Sequence, residues 1–589
     1  GGADCPIMPA PRTGADRTGR AARPMNSTQR DILRAAAAGL ALALAAPAAA
    51  LPFNLGAVEG QLDSRLHLDA GWAAAAPDRA LVGRDGGGHA LAPSGDDGRR
   101  NFARGEAFSR RFGGEHAVEL KYADSGAYLR GRYWYDFVLK DQLGLDDGGR
   151  LPAARSAGAQ LLDAFVFHDY RVAGRPGGVR LGRQVLHWGE GLFLDGGLDA
   201  INPRDAAALH RPGSALQDGL LPVGLLHAEQ ELADGLNVEA FYQLAWEPTA
   251  LDNCGTFFAQ SDLLPRGCHA ELALRADRPA LLHGSDREAR DAGQFGFAAH
   301  YFYAPLDTEF GVWFANYHSR AAFLAVTGAD PARGAAGRAR YFAEYPEDIR
   351  LYGLSFAANL INGAQWRGEL AFRPDMPLQL SPSDLLLAAQ APGEALAPLP
   401  LGAGQSLHGY RRKAVTQLQT GVSQVLDQAM GTDRLVLSSE LGWVHVAGLE
   451  SRAQRRYGRD PAFGPGGAGC AALNAAVLGA AAGATGHCSG DGFTTRDAWG
   501  YRLKAVWEFD RALAGIDLKP SLAWAHDVAG YSPAPDATFV AGRKALSLGV
   551  DAEYLRTYSA SLAYSDFFGG RYSTLRDRDY LSLSLGMRF

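Results

Sequence analysis

Apolar and polar residues alternate strictly in the last stretch of the chain. The apolar positions are Leu581, Leu583, Leu585, Met587 and Phe589, and the positions between them are Ser582, Ser584, Gly586 and Arg588. A period of two places successive side chains on opposite faces of a β-strand. The pattern therefore predicts a closing strand with one apolar and one polar face, which on its own also suits a half-buried strand of a soluble protein.

The same alternation recurs along the chain in about eighteen segments of roughly ten residues each. Examples are 62–72, 118–122, 129–135, 236–246, 435–443, 501–509, 516–524 and 546–554. The linkers between segments are alternately short and long. Short linkers include 123–126, 173–178, 233–235, 305–306, 361–364, 511–515 and 556–557, and long ones include 73–105, 139–160, 189–223, 248–292, 319–349, 374–411, 447–498 and 527–542.

This alternation of short and long linkers distinguishes a membrane barrel from a soluble β-sandwich. It predicts an all-β fold, a transmembrane antiparallel β-barrel of about 18 strands (16–18) with long extracellular loops and short periplasmic turns. An even strand number lets the last strand pair with the first, so that no unpaired edge meets lipid. We therefore expect the closing strand to pair with 62–72, with its odd-numbered side chains toward lipid and Arg588 toward the lumen.

The first fifty residues are typical of export rather than of a folded domain. Residues 1–24 have no hydrophobic period and are interpreted as a disordered leader or a misassigned start. In 25–50, Arg30 and Arg34 precede an Ala/Leu run and a small-residue site ending at Ala50, which predicts a Sec-type signal peptide. The alternative is a short anchoring helix. A single barrel domain is then expected over 51–589.

Four cysteines follow the leader as two close pairs. Cys254 with Cys268, and Cys470 with Cys488, lie in Gly-rich irregular stretches. In an oxidising compartment this spacing predicts two loop disulfides, whereas a zinc site would need shorter spacing or more histidines. Residues 1–50 carry six Arg and three acidic residues, so the remainder has a net charge of −6 − 3 = −9. Such an acidic balance argues against nucleic acid as a partner.

Charged positions on the polar faces of the predicted strands indicate a hydrated lumen. Arg130, Arg132, Asp136 and Arg588 are the lumen-facing candidates. Because both signs of charge occur, no clear preference for anions or cations is expected. The terminal aromatic Phe589 is predicted to act as the signal by which the barrel-insertion machinery recognises the closing strand.

Several irregular segments carry a family resemblance. They are 95–98, 182–193, 201–205, 211–213, 317–320, 368–379 and 526–533. Together they resemble the proteobacterial outer-membrane family numbered 1302 among the domains of unknown function, over essentially all of 51–589. The resemblance implies an exported outer-membrane barrel encoded near a periplasmic protein of another uncharacterised family and a resistance-nodulation-division type exporter of lipid-like substrates. It implies no catalytic residues.

The segment after the fifth predicted strand is a candidate constriction loop. Its chemistry-bearing residues are Trp188, Glu190, Asn202, Asp205 and Arg211. The order Asn202-Pro203-Arg204-Asp205 is typical of a helix start, with Asn202 as N-cap and Pro203 at the first helical position. A short helix is expected over 206–210. The loop either folds into the barrel and narrows it or forms an external cap, and Glu190 either lines the pore or merely solvates a turn.

The sequence contains no recognisable catalytic or cofactor motif, so no enzyme, metal or cofactor is expected. His318-Ser319 and His526-Asp527 are neighbours in sequence, and neighbours on a strand point to opposite faces. The segment 95–98 hints at calcium but has too few oxygen ligands.

Two functions of different classes are compatible with these patterns. The first is an outer-membrane channel that moves hydrophobic or lipid-like molecules together with a periplasmic partner and an inner-membrane exporter. The second is a non-conducting scaffold whose disulfide-pinned extracellular loops bind a partner. Outer-membrane lipid and the barrel-insertion machinery are expected contacts in both cases.

Overall fold

The computed structural model describes residues 51–83, 87–90, 92, 97–210, 219–261, 263–268, 271–273, 279–393, 399–467, 470–471, 488–535 and 537–589. The predicted leader, the predicted signal peptide and Arg211 of the candidate loop lie outside these residues.

Eighteen antiparallel strands form one closed barrel. They are β1 (Val58–Ala73), β2 (Ala107–Tyr122), β3 (Ser125–Asp136), β4 (Ala157–Val172), β5 (Arg175–Gln184), β6 (Val223–Ala233), β7 (Leu236–Gln243), β8 (Phe295–Tyr303), β9 (Thr308–Tyr317), β10 (Ile349–Asn359), β11 (Gln365–Gln379), β12 (Tyr410–Asp427), β13 (Arg434–Val446), β14 (Asp497–Leu513), β15 (Ile516–Ala529), β16 (Arg543–Tyr554), β17 (Tyr558–Gly569) and β18 (Tyr580–Arg588). Each strand pairs with its sequence neighbours, and β18 closes the barrel on β1 with Leu581 opposite Trp72 and Arg588 opposite Arg65. The predicted fold class, strand number and closing pair are confirmed.

Alternation along the strands gives the barrel an apolar exterior. Val312, Leu354 and Leu548 are each at least half exposed, at 58%, 54% and 50%. Their sequence neighbours Trp313 and Ser355 point inward and are buried. Large apolar side chains left exposed all around a closed sheet suit a lipid environment, because in water they would lose the free energy of burial.

Short turns and long loops lie at opposite ends of the barrel, as the rhythm predicted. The turns are 123–124, 173–174, 234–235, 304–307, 360–364, 428–433, 514–515 and 555–557, and the loops are 74–106, 137–156, 185–222, 244–294, 318–348, 380–409, 447–496, 530–542 and 570–579. A further strand, Leu51–Leu55, folds back on the start of β1 beside the turns.

The long loops contain structure of their own. A five-stranded sheet combines Ser406–Leu407, Phe323–Thr327, Arg340–Glu344, Leu281–His283 and Glu271–Leu272, in that order. The helices are α1 (Asp97–Arg100), α2 (Ala206–Leu209) and α3 (Pro382–Gln390), with short 3-10 or π turns at Val138–Gln142, Pro152–Ala154, Ala304–Leu306, Pro331–Gly337 and Pro461–Phe463. Among the described residues, none of these helices combines the length and the apolar character that a membrane crossing requires. Leu324, Tyr341 and Leu385 share one buried cluster, so α3 and this sheet form a packed unit.

Candidate functional site

The loop after β5 enters the barrel and binds a carboxylate on a distant strand. Glu440 of β13 points inward, because its neighbour Leu441 is exposed on the outer face. Its carboxylate accepts backbone N–H bonds from Leu192, Phe193 and Leu194 at 2.8, 2.7 and 2.7 Å. Hydrogen bonds to an ionised acceptor are among the strongest in proteins. Glu440 therefore fixes one turn of the loop against the inner face.

A second buried carboxylate fixes the next turn of the same loop. Glu369 of β11 accepts the N–H of Glu190 at 2.6 Å and that of Leu198 at 3.0 Å. The approach is so close that a Cβ at Gly197, where φ is +61°, would lie 1.6 Å from Glu369 Oε1. Only glycine fits there without displacing the carboxylate.

Amide and guanidinium groups complete the attachment to the inner face. The side-chain amides of Gln417 and Gln419 on β12 both donate to the carbonyl of Asp195, at 3.0 and 3.2 Å. Arg373 of β11 donates to the carbonyl of Gly197. The loop backbone thus finds donors and acceptors on three adjacent strands, β11 to β13.

Trp188 anchors the other side of the loop. It is 1% exposed and lies between Phe241 of β7 and Trp313 of β9, with ring centroids 5.0 and 5.1 Å away. A Cβ on Gly296 of β8 would lie 2.6 Å from its ring. The loop therefore covers the inner face from β7 to β13.

The base of the loop differs from its prediction. Asn202 is not an N-cap: its Oδ1 accepts the N–H of Leu186 at 3.0 Å and its Nδ2 donates to the carbonyl of Leu221 at 2.9 Å. Since its amide bridges the two chain segments where the loop begins and ends, it is not available to a helix. The cap of α2 is Asp205, which accepts from Ala208 N at 3.1 Å and pairs with Arg132 at 2.7 Å.

Arg320 ties three long loops together above this base. It donates to the carbonyl of Ile201 and to the side-chain oxygens of Gln243 and Gln294 at 2.6 to 2.9 Å. Burial lowers the pKa of Arg320 to about 9. The segment 317–320 singled out in the sequence is accordingly structural.

Glu190 is half-buried rather than freely solvated. Its carboxylate lies 3.6 Å from Arg367 of β11, which also faces inward. Of the candidate loop residues, Trp188 and Glu190 lie on the inner face, whereas Asn202 and Asp205 hold the base.

Small side chains lie on the middle of the inner face of β15 to β17, which the loop leaves uncovered. Ser521 and Ala523 on β15, Ser547 on β16, and Ser561 and Ala563 on β17 are all partly exposed. By contrast, Glu369, Gln419 and Glu440 beneath the loop are buried. The inner face is therefore more accessible on the β15–β17 side than beneath the loop.

The other lumen-facing candidates are mostly paired. Arg130 lies 2.6 Å from Asp163 and 3.4 Å from Glu115, both inward-facing. Asp136 is buried, accepts the N–H groups of Val138 and Leu139 at the end of β3, and lines a small cavity inside the barrel. Arg588 is exposed.

Sequence reasoning missed a chain of histidines and glutamates on β6 to β9. His227 contacts Glu239 at 2.8 Å, Glu239 contacts His300 at 3.1 Å, and His300 contacts Glu309 at 3.2 Å. All four residues occupy polar positions of segments that alternate with a period of two. This period predicts that their side chains face the lumen, but it does not predict that they contact one another. Glu239, His300 and Glu309 border a turn-side cavity of about 1050 Å³ that Asp124, Asp169, Glu229 and Glu231 make acidic.

Both cysteine pairs are bonded as predicted. Cys254 pairs with Cys268 and Cys470 with Cys488, with Cα atoms 6.0 and 5.4 Å apart. Within the described ranges, no group of three or more His, Cys, Asp or Glu side chains is arranged to hold a metal ion.

The closing strand presents Leu581 and Leu585 on the outer face, and Met587 lies on the same face of the strand but is only 5% exposed. Its cross-strand neighbours Leu66 and Tyr558 flank it. Phe589 exchanges backbone hydrogen bonds with Ser64 at 2.7 and 2.9 Å. Its part as an insertion signal stays a prediction.

Comparison with solved structures finds barrels of very low sequence identity. OccK1 (OpdK) of Pseudomonas aeruginosa is 10% identical, covering 90% of this chain and 98% of that chain with a TM-score of 0.38. A BenF-like porin from Pseudomonas fluorescens Pf-5 is 10% identical, with coverages of 90% and 98% and a TM-score of 0.40. The outer-membrane channel DcaP of Acinetobacter baumannii is 9% identical, with coverages of 91% and 99% and a TM-score of 0.34. Similarity this low supports no functional inference.

Curated protein sequences contain no match to this chain. A family profile, in contrast, matches residues 32–589 and confirms the resemblance seen in the irregular segments. The chain belongs to the family described as "Protein of unknown function (DUF1302)".

Proposed function

We propose that this protein is a channel of the bacterial outer membrane whose lumen is narrowed by the loop 185–201. The observation that carries the proposal is the one-sided filling of the barrel. The loop is bonded to β11–β13 by Glu369 and Glu440, while the small side chains of β15–β17 remain accessible. A non-conducting scaffold would not require an accessible lumen beside a loop that is hydrogen-bonded to the barrel wall.

We also propose that the cargo is hydrophobic or lipid-like and that a periplasmic partner and a resistance-nodulation-division type exporter supply it. Support for the partners comes from the family resemblance. Support for the cargo class comes from the same resemblance.

Single-channel conductance in planar bilayers tests the channel and its constriction separately. The variant replaces residues 187–200 by a short Gly-Ser linker. This removes the loop segment from Trp188 to Leu198 and keeps Asn202 at the base of the loop. Replacement of residues 451–455 in a surface loop by the same linker serves as control. We expect conductance from the unaltered protein and a larger conductance only from the 187–200 variant.

The outcomes separate the two claims. Equal conductance in all three proteins would remove the constriction but keep the channel. Absence of conductance in all three, from barrels that are folded and inserted, would overturn the channel itself.

A second function is favoured by the packed unit of α3 and the five-stranded loop sheet. Tyr341, Leu324 and Leu385 give it a buried core, which exceeds what a simple solvated loop needs. We propose it as the alternative that this unit binds a partner at the cell surface. Crosslinking from position 333 on its exposed turn, followed by identification of the crosslinked species, tests this alternative, and a lack of any specific crosslink would contradict it.

A further inference from the structure

A small aromatic cavity lies inside the loop-side end of the barrel. Its volume is about 120 Å³, and its apolar lining comprises Phe108, Trp134, Leu139, Phe257, Phe258 and Tyr580. Phe108 and Tyr580 belong to barrel strands, whereas Phe257 and Phe258 come from the long loop 244–294. The cavity is therefore formed where this loop meets the inner face of the barrel.

The rings around the cavity hold one another in fixed orientations. Phe108 and Phe257 stack with centroids 4.2 Å apart, and Phe258 meets Phe108 and Tyr580 edge to face at 5.6 and 5.4 Å. Edge-to-face and offset aromatic pairs are favoured geometries. A planar ring entering this space would find both faces and edges of neighbouring rings.

The loop that closes the cavity is held by strong restraints. Arg99 and Arg578 lie against Phe257, with their guanidinium carbons 4.7 and 5.8 Å from the ring centroid. The disulfide between Cys254 and Cys268 closes the loop around the two phenylalanines. A cavity with walls fixed in this way is preorganised, which lowers the entropic cost of binding.

Two of the carboxylates that line the cavity are already engaged by the protein. Asp69 contacts His67 and Ser584, each at 2.6 Å. Asp136 accepts from Val138 N at 2.9 Å and Leu139 N at 3.1 Å. A water molecule needs about two to four polar partners to be stable in a cavity. These two carboxylates are therefore less available to a water molecule in the cavity.

One edge of the cavity keeps a polar group with hydrogen-bonding capacity. His210 stacks on Phe258 at 4.1 Å, and its Nδ1 lies 3.5 Å from Asp252 Oδ1, with no hydrogen bond from Nδ1 among the described residues. A neutral imidazole nitrogen accepts or donates according to its tautomer. Because His210 lines the cavity, its imidazole is the group to which a ligand hydroxyl would bond.

We propose that this cavity binds a compact aromatic compound of one ring with a single hydrogen-bonding substituent. The size agrees, since an apolar cavity of about 150 Å³ accommodates benzene. That such a compound is also cargo rests on the proposed channel function. The binding itself does not depend on the channel function.

Binding of 4-fluorophenol, followed by fluorine NMR with the protein in lipid nanodiscs, tests the site. Ala207 of α2 lines the cavity, whereas its neighbour Ala206 does not. In Ala207→Phe the new ring fills the cavity, and we expect the affinity to fall about ten-fold or more. The matched variant Ala206→Phe should bind like the unaltered protein.

Excess unlabelled phenol distinguishes saturable binding from partition into lipid. Should Ala207→Phe fail to fold, Phe258→Leu, which removes the stacked ring but keeps an apolar side chain, must weaken binding instead. The site is overturned if the unaltered protein shows no displaceable binding, or if Ala206→Phe and Ala207→Phe bind equally. Binding without conductance would keep the site and remove the cargo role, and conductance without binding would remove the site and keep the channel.

Discussion

Glu440 is the residue on which the position of the inner loop depends most directly. Three consecutive N–H groups of the loop donate to its two carboxylate oxygens. In Glu440→Ala these donors remain buried without an acceptor, which costs about 3 kcal/mol or more. We expect the loop to detach, with larger and noisier single-channel currents.

Glu508→Ala is the matched control for this substitution. Glu508 lies on the adjacent strand β14 and pairs with Arg434 at the turn end, without contact to the loop. Its removal should leave the single-channel current within the scatter of the unaltered protein. An unchanged current in Glu440→Ala as well would show that the loop holds its place without this carboxylate.

The same residue shows what a sequence pattern contains and what it omits. Alternation predicts that Glu440 and Glu369 point inward, and the structure agrees. It gives no indication that they bind backbone N–H groups 246 and 171 residues earlier in the chain. Asn202 shows the opposite error, because its side chain suits a helix cap and a bridge between chain segments equally well, and only the fold decides between them.

At the scale of elements, α3 depends on a buried ion pair. Asp384 lies in its first turn, and Arg456 donates to it at 2.7 and 2.8 Å. Burial nevertheless raises the pKa of Asp384 from 3.8 to about 6, with Arg456 only partly opposing the shift. The two effects conflict, and the desolvation of a fully enclosed carboxylate is the larger.

The raised pKa predicts a pH-dependent loop unit. Because the folded-state pKa lies above the unfolded value, folding of this unit is favoured below pH 3.8 and loses this contribution as pH rises through about 6. We expect hydrogen-exchange protection of residues 382–390, corrected for intrinsic exchange, to decrease between pH 5 and pH 7.5.

Asp384→Asn should flatten this pH dependence, since the amide does not titrate. Asp375→Asn makes the same chemical change at the barrel rim, where Asp375 pairs with the exposed Arg350, and should keep the dependence. If the pH profile of Asp384→Asn equals that of the unaltered protein, another group is responsible.

Sequence patterns predicted the barrel strands but not the sheet within the loops. A barrel strand of ten or more residues shows its period locally, whereas Ser406–Leu407 and Glu271–Leu272 are too short to show one. Pairing of the loop sheet also joins segments from three separate loops, so no hairpin signal marks it.

At the scale of the whole molecule, closure of the barrel and filling of its lumen have different physical causes. The barrel must close because lipid offers no hydrogen-bonding partner to a free strand edge. The alternation of long and short linkers along the chain predicts this closed barrel. Filling depends on the contacts of one loop with strands far away in sequence. The result is an asymmetric lumen, covered on β7–β13 and accessible on β15–β17.

Cysteine accessibility tests this asymmetry directly. Ser561 lies on the accessible inner face of β17, whereas Gln419 is 2% exposed beneath the loop. A cationic thiol reagent added to the bilayer chamber should reduce the current through Ser561→Cys within minutes and leave Gln419→Cys unaffected. The four cysteines after the leader are bonded in pairs and do not compete for the reagent.

Two further variants make this measurement decisive. Leu562→Cys, on the lipid-facing side of the same strand, should not respond, because its side chain is 48% exposed but lies outside the lumen. Adding Glu440→Ala to Gln419→Cys should make position 419 reactive, since detachment of the loop uncovers it. Equal reaction rates at 419 and 561 in the intact protein would mean that the loop does not cover β12, and the one-sided lumen would have to be abandoned.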